Sequence, residues 1–297
     1  MVNANHDASI SQPFPLCYTV EEQALIAKTG HDEDCEDAIF IGPAFVAVID
    51  GATSKTERRW QGQTGGRIAA LTLKETFARI PPKSTAREAV DLLTAALRER
   101  YEREGIYEIV RADPVQRAVA SFVALSLWRR EIWFVGDCQC LLDGQLLTNR
   151  KELDAITANA RALFLEAELA AGKSITALRE RDPGRTYILP LLERQMRFQN
   201  NPESGPYWFA VIDGFPVPDE GIRVYSLSPD SETIVLASDG YPELKETLEA
   251  SEQALAELLR EDPLLFRQYK ATKGLNGDHL SFDDRAYVRL KITGERC

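Results

Sequence analysis

The chain has 297 residues, of which 44% are hydrophobic and 27% are charged, a composition typical of globular proteins with a sizeable core. Its formal net charge of -11 argues against nucleic acid as a partner, because nucleic-acid binding requires clustered Lys and Arg. No apolar run approaches the roughly 20 residues that a membrane span needs, and the first residues lack the features of a secretory signal. We therefore expect a cytoplasmic protein without a membrane partner.

Short apolar runs alternate with helical patterns along the chain. In chain order, the patterns predict strands at 38–41 and 44–49, helices at 65–80 and 85–101, strands at 118–128, 131–135 and 141–147, a helix at 152–171, strands at 208–212, 222–227 and 233–237, a helix at 243–259 and a strand at 286–292. Thr85 followed by Glu88 is a capping-box pattern, which marks the start of the second helix.

Most of the predicted strands come in adjacent pairs joined by short polar links. Such pairs favour antiparallel sheets over a parallel sheet with crossover helices. We predict an α+β fold, formed as one domain over residues 1–297, with helices packed outside the sheets. The segment 182–206, which contains Pro183-Gly184 and Asn200-Asn201-Pro202, is the candidate for an irregular insertion near a site.

Asp-Gly occurs four times, at Asp50, Asp143, Asp213 and Asp239. Between two apolar runs this dipeptide is a strong hairpin signal, and it predicts a plain turn at Asp143. Asp50 and Asp239 differ, because each ends a strongly apolar strand that no returning strand follows. A carboxylate at that position, followed by a glycine that frees the next carbonyl, is one way to build an oxygen-lined cation site.

More acids stand at strand ends: Glu36-Asp37 before 38–41, Asp137 after 131–135, and Asp283-Asp284 before 286–292. Carboxylates gathered in one place repel each other unless a cation neutralises them. These acids are therefore either scattered over the surface or share metal. An all-oxygen ligand set selects magnesium or manganese over zinc.

The order and spacing of these acids resemble the metal-dependent protein phosphatases of type 2C, over about residues 20–292. The segments that carry the resemblance are Glu36-Asp37, Phe45-Val46-Ala47-Val48-Ile49-Asp50-Gly51, Phe134-Val135-Gly136-Asp137, Leu236-Ala237-Ser238-Asp239-Gly240 and Asp283-Asp284-Arg285-Ala286. The resemblance implies a four-layer sandwich of two antiparallel β-sheets flanked by pairs of α-helices. Its active site would lie at one edge of the sandwich.

The resemblance also implies a set of metal ligands for two Mg(II) or Mn(II) ions. Asp50 would bridge the two ions, the Gly51 carbonyl would bind one of them, and Asp239 and Asp283 would hold the other. Three more acids complete the set: Glu36 and Asp37, acting largely through bound waters, and Asp137, at the position that helps to hold a third, weaker ion in bacterial relatives.

The implied reaction is hydrolysis of a phosphate monoester by a water that bridges the two ions. Asp50, Asp239 and Asp283 would be catalytic through the bound metal and water. The expected substrate is phosphoserine or phosphothreonine in a protein, as in signalling phosphatases, although a small phosphoester also fits the sequence.

The sequence departs from the family at the residues that would contact substrate. Asp32 stands where many relatives carry a phosphate-gripping arginine, and Ala52 stands where eukaryotic relatives often have histidine. Asp284 and Ala286 replace the usual asparagine and threonine of the last motif. The candidates to grip the phosphate are then Lys55, Arg58 and Arg59, which can equally be solvated loop charges.

Two other functions are compatible with parts of the sequence. The segment around Asp50 faintly resembles the haloacid dehalogenase-like phosphatases, but Val48 and Ala52 stand where their second aspartate would be. The second alternative is a catalytically inactive binding or regulatory module that keeps the phosphatase fold, for which the losses at Asp32 and Ala52 are the argument.

Overall fold

The computed structural model describes residues 15–53, 55–56, 58–60, 62–149 and 151–293. Within these residues, two sheets contain the strands β1 (Cys17–Ile26), β2 (Ala38–Ile41), β3 (Phe45–Gly51), β4 (Ala120–Ser126), β5 (Glu131–Val135), β6 (Gln139–Leu142), β7 (Gln145–Thr148), β8 (Arg223–Ser226), β9 (Thr233–Ala237) and β10 (Arg285–Thr293). The two five-stranded sheets have the orders β1-β10-β9-β6-β7 and β2-β3-β4-β5-β8, and all their pairings are antiparallel.

The helices in the described residues are α1 (Gly65–Phe77), α2 (Ala86–Arg103), α3 (Tyr107–Ala112), α4 (Glu152–Ala170), α5 (Ile175–Glu180), α6 (Pro183–Arg194) and α7 (Leu248–Glu261). The pair α1 and α2 packs on the outer face of the β3 sheet, and the first residue of α7 packs on the outer face of the β9 sheet. The predicted α+β sandwich of two antiparallel sheets with outer helices is confirmed. In the described residues, α7 is the helix that contributes to the cluster on the outer face of the β9 sheet.

Strand β3 shows how the sequence holds two layers together. Phe45, Ala47 and Ile49 face the helices α1 and α2, whereas Val46 and Val48 face the other sheet. Successive side chains of a strand point to opposite faces, so a central strand covered on both faces is apolar throughout. This double burial fixes the register of β3 and therefore the position of its last two residues.

Several predicted boundaries differ from the structure. The predicted strand 208–212 forms only isolated bridges, Ala120↔Ile212 and Gln199↔Phe209, and the predicted strand 141–147 is the hairpin β6–β7. Strand β1 was not predicted, because its polar centre at Glu21-Glu22-Gln23 gives no apolar run. It lies at a sheet edge, where only β10 pairs with it. Helix α7 begins at residue 248 rather than 243, since Thr247 caps it.

The segment 182–206, for which we expected irregular structure, contains helix α6 and two short 3-10 helices. Asp182 starts α6 by accepting a hydrogen bond from the Arg185 amide, and Pro183 occupies the first turn, where its missing N–H costs nothing. Pro183-Gly184 is therefore a helix start rather than a loop signal.

Arg161 of α4 ties this segment to the rest of the fold. Its fully buried guanidinium donates to the Asp182 carboxylate at 2.7 and 2.9 Å and to the carbonyls of Leu264 and Ala271 at 2.8 and 3.0 Å. One side chain thus fixes the start of α6 and the segment after α7 relative to α4.

Among the described residues, no helix combines the length and the apolar character that crossing a membrane requires.

Candidate active site

The acids at the strand ends meet at one end of the sandwich. Strands β3, β5 and β9 end there, and β2 and β10 begin there, because neighbouring antiparallel strands run in opposite directions. A cavity of about 330 Å³ opens at this end, and its lining includes Asp50, Gly51, Asp137, Asp239 and Asp283. Glu36 and Asp37 lie buried, only 3% and 5% exposed.

Two glycines allow the strand ends to approach so closely. A Cβ on Gly51 would lie 2.3 Å from the carbonyl oxygens of Glu36 and Gly66, so Gly51 lets the start of α1 pack against the acidic segment. Gly136 has φ +88, and a Cβ there would lie 2.1 Å from the Ser121 Oγ. That hydroxyl instead donates to the Asp137 carboxylate at 2.7 Å. Both glycines are therefore required by the geometry of the site.

Three of the acids, Asp37, Asp50 and Asp239, have pKa values raised well above the usual range. Burial is the largest cause for each, and the charges of neighbouring carboxylates add to it. The charge of the Asp50 carboxylate is among the causes that raise the pKa of Asp239, so these two groups of the cavity wall lie close enough to repel each other when both are ionised. Ser238 partly offsets the rise in the pKa of Asp37, and the charge of Lys273 partly offsets that of Asp239. Among the described residues, no lysine or arginine lies at salt-bridge distance from any of these three carboxyls.

Lysines neutralise two other acids of the site. The Lys151 ammonium lies 2.7 Å from Asp137, and the Lys273 ammonium lies 2.5 Å from Asp283. Burial alone would raise the pKa values of both carboxyls, but the lysines outweigh it and hold these pKa values below the usual range. The acids of the site therefore fall into two groups in the described structure. Asp37, Asp50 and Asp239 have no lysine partner, whereas Asp137 and Asp283 are each paired with a lysine.

A third lysine, Lys28, joins the acids at the back of the site. Its ammonium donates to Glu36 at 3.1 Å and to Asp284 at 2.9 Å, and its amide donates to Asp284 at 2.8 Å. Burial would lower the pKa of Lys28, but Asp283, Glu36 and Asp284 together raise it. Asp284 thus holds the loop before β2 against the loop before β10.

The donor chemistry of the site fits divalent cations only in part. In the described part of the chain, no three His, Cys, Asp or Glu side chains are close enough to enclose an ion. Two buried oxygens nevertheless have no hydrogen-bond partner, Glu36 Oε1 and Asp37 Oδ2. Together with the carboxyl groups of Asp50 and Asp239 in the cavity wall, these oxygens are the donors that a hard cation would satisfy.

The three cations that the sequence proposed for phosphate binding do not lie together. Lys55 lines the cavity and donates to the Thr53 carbonyl at 2.6 Å. Arg58 donates to the Gln116 side chain at 3.1 Å, Arg59 is exposed, and neither lines the cavity.

Sequence reasoning missed four cations at the site: Lys28, Lys151, Lys273 and Arg185. Lys151 directly precedes α4, and Arg185 lies in the first turn of α6. A basic residue at either position has no sequence pattern that marks it as part of a site. Lys28 and Lys273 come from irregular segments, where no periodicity indicates which way a side chain points. The one signal that could have indicated a site cation is a lysine close in sequence to an acidic motif, and of the four only Lys28, eight residues before Glu36, provides it.

Similar folds occur among bacterial serine/threonine phosphatases. The catalytic domain of PstP in complex with two manganese ions is 14% identical and covers 94% of this chain and 99% of its own, with a TM-score of 0.48. Mycobacterium tuberculosis PstP is 15% identical with the same coverage and a TM-score of 0.47. Staphylococcus aureus Stp1 is 14% identical and covers 99% of this chain and 100% of its own, with a TM-score of 0.47.

No protein-family model matches the sequence, and a search of curated proteins finds no match. At such low identities the likeness to solved structures concerns the fold and says nothing of the reaction.

Proposed function

We propose that this protein is a metal-dependent phosphatase that hydrolyses a phosphate monoester, such as phosphoserine or phosphothreonine in a protein. The observation that carries the proposal is the pair Asp50 and Asp239, which ends strands of two different sheets. Both carboxyl groups line one cavity, and the charge of Asp50 raises the pKa of Asp239, a repulsion that a bound divalent cation would relieve.

The chain's own residues divide the work at this site. Asp50, Asp239 and the Gly51 carbonyl would hold magnesium or manganese, and Glu36 and Asp37 would support them from behind. Asp283 would become a ligand if Lys273 released it. Asp137 would help to hold a weaker ion. When bound, the ions would lower the pKa of a coordinated water to near neutrality and offset the charge of the phosphate.

The reaction then needs no nucleophilic side chain. Cations at the cavity wall would offset the charge of the phosphoryl oxygens, in the bound ester as well as in the transition state. Among the described residues, the two histidines His31 and His279 do not line the cavity, so neither is available there as a proton donor. The leaving oxygen would take its proton from water.

The test is hydrolysis of para-nitrophenyl phosphate by purified protein with manganese, with magnesium and with chelator. The proposal predicts turnover that requires metal and falls at least a hundredfold in Asp239→Asn. Asp143→Asn is the matched control, because it changes an Asp-Gly aspartate outside the cavity. Turnover that persists in chelator, or that survives Asp239→Asn, would contradict the metal role.

A specific observation favours the alternative of an inactive module. Lys273 and Lys151 already neutralise Asp283 and Asp137, so part of the metal site carries its own cations. An inactive module would bind manganese weakly or not at all and would show no turnover under any metal. Metal titration monitored by calorimetry therefore separates the two functions even when no substrate is known.

A further inference from the structure

Three cations share the cavity with the acids, and only one of them, Lys273, is paired with a carboxylate. Lys55, Arg185 and Lys273 all line the cavity that Asp50 and Asp239 line. Lys55 comes from the loop after β3, Arg185 from the first turn of α6, and Lys273 from the segment between α7 and β10. Three distant parts of the chain thus deliver positive charge to one place.

Two of these cations, Lys55 and Arg185, form no ion pair in the described structure. The Lys55 ammonium donates to the Thr53 carbonyl at 2.6 Å, and the Arg185 guanidinium donates to the Thr272 carbonyl at 3.1 Å. Within the described residues, no carboxylate lies at salt-bridge distance from either group. By contrast, Lys28 and Lys151, the other cations beside the acids, are paired with carboxylates at 2.7 to 2.9 Å.

Neighbouring like charges make this arrangement unfavourable without an anion. Burial lowers the pKa of Lys55 to about 7, and the charges of Arg185 and Lys273 contribute to that shift. Burial likewise lowers the pKa of Arg185. Placing unpaired cations together in a partly buried cavity costs free energy, which a bound anion would offset.

The shape of the group points to a phosphate. A guanidinium presents a planar fork of donors that matches two phosphate oxygens, and an ammonium adds a point charge to the third. The acids that would hold metal line the same cavity, so a phosphate bound by the cations would face them. We propose that Arg185 and Lys55, assisted by Lys273, bind the phosphate group of the substrate ester in place of the arginine that Asp32 replaces.

The fold holds Arg185 in this position. The Asp182 carboxylate caps the helix turn that carries Arg185 and is itself held by the buried Arg161. Arg161 also binds the Ala271 carbonyl, two residues before Lys273. Since one side chain anchors both segments, their cations keep a fixed relation to each other.

The inference rests on the proposed function in one respect, since it assigns the bound phosphate to the ester that the protein hydrolyses. Binding is therefore measured first without turnover, by calorimetric titration of chelator-treated protein with inorganic phosphate. Arg185→Gln should weaken phosphate binding at least tenfold, and Arg185→Lys should restore part of it. The matched control is Arg194→Gln, an exposed arginine on the same helix that does not line the cavity.

A second arm uses para-nitrophenyl phosphate with manganese. Arg185→Gln should raise KM at least tenfold with kcat changed less than threefold, and inorganic phosphate should compete with the ester in the wild-type protein. Competition identifies the ester's phosphate as the natural ligand; phosphate that binds without competing would overturn the assignment to substrate.

Equal phosphate affinity in Arg185→Gln and Arg194→Gln would overturn the inference. If Arg185→Gln does not fold, as judged by circular dichroism, Lys55→Gln takes its place with the same expected loss. Arg185-dependent phosphate binding without any hydrolysis would leave this inference standing and contradict the proposed function, so the two failures can be told apart.

Discussion

Two Asp-Gly pairs of this chain end up in opposite surroundings. Asp143 is exposed, sits in a two-residue hairpin with φ +49, and accepts hydrogen bonds from the Glu232 and Thr233 amides at 2.9 and 3.0 Å. Asp50 is the second-last residue of β3, a strand that is buried on both faces, and the charges of other carboxyls raise its pKa. Since the dipeptide is the same, the surroundings of the aspartate decide its role. A carboxylate that accepts hydrogen bonds from backbone amides stabilises a turn, whereas a buried carboxylate surrounded by other carboxyls is a candidate metal ligand.

The largest expected effect comes from Asp50→Asn, which keeps the shape of the side chain but removes its charge. We expect hydrolysis of para-nitrophenyl phosphate to fall about a thousandfold in saturating manganese, which corresponds to roughly 4 kcal/mol of transition-state stabilisation. Rates and circular dichroism would be measured side by side. A folded variant with more than about a tenth of the wild-type rate would show that Asp50 is not a ligand.

Asp213, in the third Asp-Gly pair, extends the comparison to a buried but paired carboxylate. Its side chain is fully buried, and it lies 2.8 Å from Arg117 and accepts a hydrogen bond from Gln199 at 3.0 Å. Asp213→Ala leaves Arg117 without its partner, so the free energy of unfolding should fall by about 3 kcal/mol. Urea denaturation measures the loss. A change below about 1 kcal/mol would show that water replaces the lost partner.

Manganese should stabilise the protein by binding the aspartates of the cavity, such as Asp50, and not the hairpin aspartate Asp143. At a hundredfold excess over its dissociation constant, an ion that binds only the folded state adds about 2.7 kcal/mol. We expect a rise in Tm for the wild-type protein that chelator reverses. Asp50→Asn should abolish the rise, and Asp143→Asn should keep it. An equal rise in both variants would mean that the ion binds elsewhere.

The smallest expected effect is that of Asp143→Asn on its own. Asparagine tolerates the left-handed conformation and still offers a side-chain oxygen to the two amides. We expect the free energy of unfolding to change by less than about 1 kcal/mol and the hydrolysis rate to stay within twofold. A large loss of activity would mean that the hairpin belongs to the site.

The sequence predicted the strands that carry the site because their residues are apolar on both faces. Strands β2, β5 and β9 have the predicted bounds, and the acids follow from where these strands start and stop. Strand β1 escaped prediction because an edge strand need not be apolar.

The cations of the site could not be predicted in the same way. Lys273 and Lys28 lie in irregular segments whose course depends on tertiary contacts, such as the hydrogen bond from the Leu280 amide to the Lys28 carbonyl at 2.7 Å. Arg185 depends on a helix that Pro183-Gly184 concealed. The spacing of apolar residues predicts which strand and helix residues are buried. A side chain in an irregular segment belongs to no such repeat, so its position cannot be predicted in this way.

Whether Asp50 and Asp239 hold an ion is tested most directly by a crystal structure of the protein grown with manganese, with anomalous scattering data. We predict an anomalous peak between these two carboxylates and none beside Asp143. Well-ordered carboxylates without a peak at saturating manganese would contradict the account and favour the inactive module.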